Sequence, residues 1–128
     1  MRLQKYRFVK LESDKIVPHY SEKKEAKTAL KELRLIKREV RLEKHKLQNR
    51  KKQLNTLYTQ EIRAYINRNK KNKKAISKKR FIADYKSKKK ETYSIRKEKI
   101  NINIRKLEIL ISEIENEIIK LQAKILHM

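Results

Sequence analysis

Between residues 100 and 125, Ile100, Ile104, Leu107, Ile111, Ile114, Ile118, Leu121 and Ile125 recur at alternating steps of four and three without a fault. That spacing returns to one side of an α-helix every seven residues, so it predicts a helix with a continuous apolar seam. A half-buried strand would need apolar residues at every second position instead. Ile lowers helix propensity slightly, but a seam this regular outweighs it. Glu108, Glu113, Glu115, Glu117, Lys120 and Lys124 keep the flanks polar. A wide aliphatic stripe on an isolated helix would face water, so this helix needs a partner.

The chain offers one within itself. Residues 22–66 contain neither Pro nor Gly and carry a second seam. It runs Ala26, Leu30, Leu33, Lys37, Val40, Lys44, Leu47, Lys51, Leu54, Tyr58, Glu61 and Tyr65. One line of it, Leu33, Val40, Leu47 and Leu54, is apolar throughout, whereas Lys37, Lys44 and Lys51 occupy the middle of the other. Such a seam is marginal, although lysine stems can cover apolar surface while their ammonium groups stay wet.

Between the two seams lies Asn67-Arg-Asn-Lys-Lys-Asn-Lys-Lys-Ala-Ile-Ser77. Asn favours turns, and like charges three and four residues apart oppose helix. Ser77 is a candidate N-cap, weakened by Lys78 and Lys79 in the first turn. The expected fold is therefore all-α: a long antiparallel two-helix coiled-coil hairpin with a basic tip. Its first helix covers 22–66, the basic turn 67–77 and the second helix 78–127. Arms of about 45 residues would be roughly 65 Å long. The competing arrangement is one long helix that dimerises, since no Gly or Pro forces the turn. Residues 1–20 read as irregular or short extended pieces: Tyr6, Phe8 and Leu11, then Ile16 and Val17, around Glu12-Ser13-Asp14. Pro18 marks a boundary, and Ser21 can cap the first helix.

Composition removes several function classes. The chain has 128 residues, no Cys and no Gly. Without Cys there is no disulfide framework, thiol nucleophile or thiolate metal site. Without Gly no phosphate-cradling loop and no tight primed hairpin turn are expected. Uncharged runs are too short to span a bilayer, and Arg2, Lys5, Arg7 and Lys10 rule out the apolar stretch of a secretory signal. The expectation from composition is a helical, non-globular, strongly basic protein inside the cell. No catalytic constellation is visible. His19, His45 and His127 lie far apart and read as surface residues; Glu113, Glu115 and Glu117 do not share one helix face. No cofactor or metal is expected.

The net charge is +23, with 38 basic against 15 acidic residues. It is concentrated at mid-chain: residues 67–90 hold 12 basic residues and one acidic, whereas 91–128 are nearly neutral. Part of the Lys, Ile and Asn excess is what an AT-rich genome would produce; its concentration at mid-chain is less easily explained that way. Lys70, Lys71, Lys73, Lys74, Lys78, Lys79 and Arg80 can contact phosphates or acidic protein surfaces, with Phe81 and Tyr85 following to stack or pack. Nothing resembles a sequence-reading nucleic-acid motif, so such binding would be backbone-directed and salt-sensitive. The structural alternative is a solvated lysine loop with the aromatics closing the coiled coil.

Around the turn the sequence reads Tyr58-x-x-Glu61-x-Arg63-x-x-x-Asn67, then Ile76-Ser77, then Arg80-Phe81-Ile82-x-x-Tyr85. With Ser21-Glu-Lys-Lys-Glu-Ala and Ala29-Leu at the start of the first helix, this resembles the flagellar and injectisome type III export stalk family, the FliJ/YscO group. Ala75 stands where that family often has Gly, and Phe81 where Trp is usual. The resemblance implies a non-enzymatic two-helix coiled coil that inserts into a hexameric export ATPase and contacts the membrane export gate. By position, Tyr58, Glu61, Arg63, Asn67, Phe81 and Tyr85 match its recurrent pattern, with Tyr58, Phe81 and Tyr85 expected to pack at the turn. Two other classes compete: a nucleic-acid- or ribosome-binding hairpin gripping phosphate through 68–90, and an oligomeric scaffold.

Overall fold

A computed structural model describes residues 6–12, 15–69 and 75–128, except for the side chains of 75–78. In chain order the elements are β1 (Val9–Glu12), β2 (Lys15–Pro18), α1 (Lys23–Arg68) and α2 (Ala75–Leu126). The fold class is all-α: two long helices pack against each other as a helical hairpin, with a small β-hairpin ahead of them. α1 runs to Arg68, where the Asn69 side-chain amide donates to the Tyr65 carbonyl at 2.8 Å. The Asn69 N–H is shared between the Tyr65 and Ile66 carbonyls at 3.2 Å each. α2 is already helical at Ala75, so Ser77 lies inside the helix and is not its cap. Lys is a good helix former, and repulsion of a few tenths of a kcal/mol per pair does not unwind the start of α2.

The helices contribute to two compact units, Met1–His45 with Ile104–Met128, and Lys46–Asn103. In the first unit the direction of packing is fixed by ion pairs. Lys37 Nζ lies 3.2 Å from Glu115 Oε1, and Lys44 Nζ lies 3.3 Å from Glu108 Oε1. Seven residues up α1 correspond to seven down α2, which is antiparallel pairing in heptad register. Two of the three lysines in the α1 seam, Lys37 and Lys44, are thus met by carboxylates of the same chain. Each pair is partly exposed and contributes about 0–1 kcal/mol, so it specifies register more than it stabilises.

Burial in α1 follows a slightly different stripe from the expected seam. Ala26, Ala29, Leu33, Ile36 and Val40 are all fully buried, whereas Leu30 and Lys37 are only partly so. This line steps three, four, three, four, and it turns α1 toward both α2 and the β-hairpin. Ile114 and Leu121 of α2 complete the cluster with Val9, Ile16 and Tyr6. Leu107, Ile111, Ile118 and Ile125 are partly buried against it.

β1 and β2 pair antiparallel, Leu11 opposite Ile16 and Val9 opposite Pro18. Only two residues, Ser13 and Asp14, join them, and these lie outside the described residues. The lack of Gly argues against such a tight connection, yet the strands pair. Their register is set by burial of Val9 and Ile16 on the helices, since a one-residue slip would turn both outward. Pro18 cannot donate, and it ends β2, where His19 N–H instead reaches the Phe8 carbonyl at 2.7 Å.

The β-hairpin is tied to α1 by carboxylates. Glu32 accepts from the backbone N–H groups of Arg7 at 3.0 Å and Phe8 at 2.9 Å. Glu39 accepts from the Tyr6 hydroxyl at 2.8 Å. In the first turn of α1, Glu25 reaches back to accept from the Ser21 N–H at 2.9 Å and its hydroxyl at 3.0 Å. These bonds hold the Glu25 carboxyl below the usual carboxylate range.

Candidate functional site

The motif positions around the turn fall in the second unit, where the end of α1 runs antiparallel to the start of α2. Tyr58 meets Tyr93 edge-on, with ring centroids 5.6 Å apart and planes at 70°. Glu61 Oε2 lies 3.2 Å from Lys89 Nζ. Tyr65 stacks on Tyr85 at 3.9 Å with planes 3° apart. Seven residues up α1 correspond to eight down α2, so three successive turns of each helix are matched. Lys89 Nζ also sits 5.7 Å from the Tyr85 ring centre, and the Arg96 guanidinium 5.5 Å from that of Tyr93. Each such cation–ring pair is worth about 0.5–1 kcal/mol at an exposed site. Tyr93 and Ile62 are buried, 4% and 8% exposed.

Glu61, Lys89 and Tyr93 shift together. The Lys89 ammonium and then the Tyr93 hydroxyl hold the Glu61 carboxyl below its usual range. Glu61 in turn raises Lys89. Burial pushes the Tyr93 hydroxyl up, and the neighbouring Glu61 carboxylate adds to that. A depressed carboxyl stabilises the fold above its unfolded pKa and loses that contribution as pH falls through the folded value. Raised Lys89 and Tyr93 stabilise below their unfolded pKa values and lose the effect as pH rises through the folded ones. Urea midpoints should therefore fall at both acid and alkaline extremes, with Glu61→Gln flattening the acid limb relative to the parent. An acid limb identical in the variant would show that Glu61 carries none of it.

The remaining predicted positions are not drawn into this cluster. Arg63, Asn67, Lys79 and Arg80 are exposed. Phe81, expected to pack at the turn, is instead 58% exposed, although it lies one turn from Tyr85 on the same side of α2. Lys70, Lys71, Lys73 and Lys74 lie outside the described residues, as does the Lys78 side chain. Of the seam positions in this unit, Leu47 and Leu54 are half-buried and Ile100 is buried. Tyr93 and Lys89 were not among the residues expected to matter. Tyr93 is found by continuing the line Leu121, Ile114, Leu107 and Ile100 one heptad toward the N-terminus.

His45 is exposed on α1, and His19 pairs with Glu12 across 2.7 Å on the β-hairpin. Among the described residues no three His, Asp or Glu side chains gather as a metal site. Among the same residues no helix is long and apolar enough to cross a membrane. What the second unit offers is a packed tyrosine and ion-pair ladder inside, and exposed cations with one aromatic outside. Comparisons with protein-family models, curated proteins and solved structures find no match.

Proposed function

We propose that this chain is a non-enzymatic coiled-coil stalk of a type III protein-export apparatus, working in the cytoplasm at the membrane periphery. In this reading it binds within a hexameric export ATPase and contacts the export gate. The observation that carries it is the division of the motif residues. Tyr58, Glu61 and Tyr85 stiffen the helix pair through matched contacts, while Arg63, Asn67 and Arg80 remain exposed for a ring to engage. A stalk needs that combination of a stiff interior and weak, exchangeable surface charge. The test is affinity purification of the tagged chain from its native cell after nuclease treatment. A hexameric ATPase with membrane export components is expected to co-purify. Ribosomal proteins or RNA, lost on nuclease treatment, would overturn the reading.

One observation favours a second reading. Phe81 stands exposed directly after exposed Lys79 and Arg80. A phosphate-gripping hairpin would use such a face, with bases stacking on the ring. Lys79→Gln with Arg80→Gln should then lower the salt dependence of single-stranded RNA binding by about one unit of slope for each cation removed from a phosphate. An unchanged slope would exclude these residues from the phosphate-binding face.

A further inference from the structure

Within the first unit, α1 segregates its charges by face. Three of its carboxylates are engaged inward: Glu25 with Ser21, Glu32 with the Arg7 and Phe8 amides, and Glu39 with Tyr6. The opposite side carries Lys27, Lys31, Arg34, Arg38 and Arg41, again at steps of four and three, and all are exposed. Arg41 lies 3.6 Å from Glu115. Lys27, Lys31, Arg34 and Arg38 have no carboxylate within ion-pair distance among the described residues. Like charges at these spacings cost a helix about 0.2–0.5 kcal/mol per pair, so the ladder is a burden on the isolated fold.

Two leucines lie alongside these cations. Leu35 and Leu42 are 50% and 56% exposed and one heptad apart. Leu42 forms an open groove of about 410 Å³ with Arg34, Lys37, Arg38 and Arg41. A merely solvated basic face has no use for aliphatic side chains at heptad spacing. A phosphate backbone would use the cations and leave the leucines idle. An α-helix laid alongside uses both, because its own apolar line recurs every seven residues and carboxylates can flank it.

We propose that the outer face of α1 from Lys27 to Leu42 is a docking site for an acidic amphipathic α-helix of a partner protein. The partner's apolar line seats on Leu35 and Leu42, and its carboxylates meet Lys31, Arg34, Arg38 and Arg41. Charge complementarity with a cation ladder in which only Arg41 has a carboxylate in reach selects the acidic partner and makes association salt-sensitive. The site stands independently of the stalk reading: an ATPase that co-purifies with the chain while the helix probe below fails to bind would leave that reading intact and overturn this one.

The probe is a fluorescent synthetic helix of about three heptads, with Leu at its two seam positions and Glu on the flanks. Its binding to the full chain is followed by anisotropy. A peptide of equal charge with Ser for Leu, and a DNA duplex, serve as comparisons. The Leu/Glu helix is expected to bind, and the Ser peptide to bind about tenfold more weakly or worse. Leu35→Ser with Leu42→Ser should weaken the Leu/Glu helix to the same extent. Arg34→Gln with Arg38→Gln should weaken binding and flatten its salt dependence. Because all four side chains are exposed, thermal midpoints should stay near the parent's, which separates a docking defect from a folding defect. Absence of binding overturns the proposal. So does equal binding of the Ser peptide, indifference to the leucine variant, or a DNA duplex that binds more tightly than the helix.

Discussion

Replacing Ile114 with Asp should unfold the first unit, whereas the same change at Ile109, five residues earlier on α2, should be tolerated. Ile114 is fully buried among Leu33, Ile36 and Val40 of α1 and Val9 and Ile16 of the β-hairpin, while Ile109 is 60% exposed. An unpaired carboxylate in that cluster loses hydration with nothing to replace it, a penalty of several kcal/mol in addition to the lost aliphatic burial. Such a cost is comparable to the whole stability of a small fold. Ile114→Ala separates the two contributions: it should still fold, about 2–5 kcal/mol less stable. Circular dichroism melts of the three variants check the ordering. Equal losses at positions 109 and 114 would mean that α2 does not turn Ile114 toward the core.

Tyr93→Ala should be the most damaging single truncation in the second unit, at about 3–5 kcal/mol. Its ring is 4% exposed and packs edge-on against Tyr58, and its hydroxyl faces Glu61. Tyr93→Phe keeps the ring and removes the hydroxyl, so it should cost only about 1 kcal/mol. Phe81→Ala, at a 58% exposed position, should stay within about 0.5 kcal/mol of the parent. Urea titrations give all three values. A Phe81→Ala loss as large as that of Tyr93→Ala would place Phe81 in the packed interior and overturn the assignment of these two aromatics.

The two helices and their apolar lines were legible because a 4,3 spacing is a direct statement about one helix face. The α2 ladder from Ile100 to Ile125 lies wholly at buried or half-buried positions. On α1 the periodicity was legible but its phase was not. Two interleaved ladders exist, one through Leu30 and Lys37 and one through Ala29 and Ile36, and burial chooses the latter. That choice depends on the β-hairpin covering α1, a long-range packing fact with no local signature. Lys37 and Lys44 looked like seam faults, and became intelligible only when Glu115 and Glu108 arrived opposite them.

The site was read less well for a related reason. Tyr58, Glu61 and Tyr85 stood out as a pattern, but their partners Tyr93, Lys89 and Tyr65 are set by antiparallel register. Register requires knowing where the turn closes, and neither Gly nor Pro marks it. Phe81 and Tyr85 are four residues apart, near enough to suggest one face. Yet Tyr85 stacks on Tyr65 while Phe81 faces solvent.

The antiparallel register itself is the claim on which the paired tyrosines, the Glu61 shift and the outward face of α1 all depend. The chain has no natural Cys, so Lys37→Cys with Glu115→Cys gives one defined pair at positions whose charged groups lie 3.2 Å apart. A short bis-maleimide should join the two thiols within one chain, at a yield independent of dilution and at the mass of a single chain. Cross-linking only between chains, falling away on dilution, would instead describe a dimer of single long helices and contradict the hairpin.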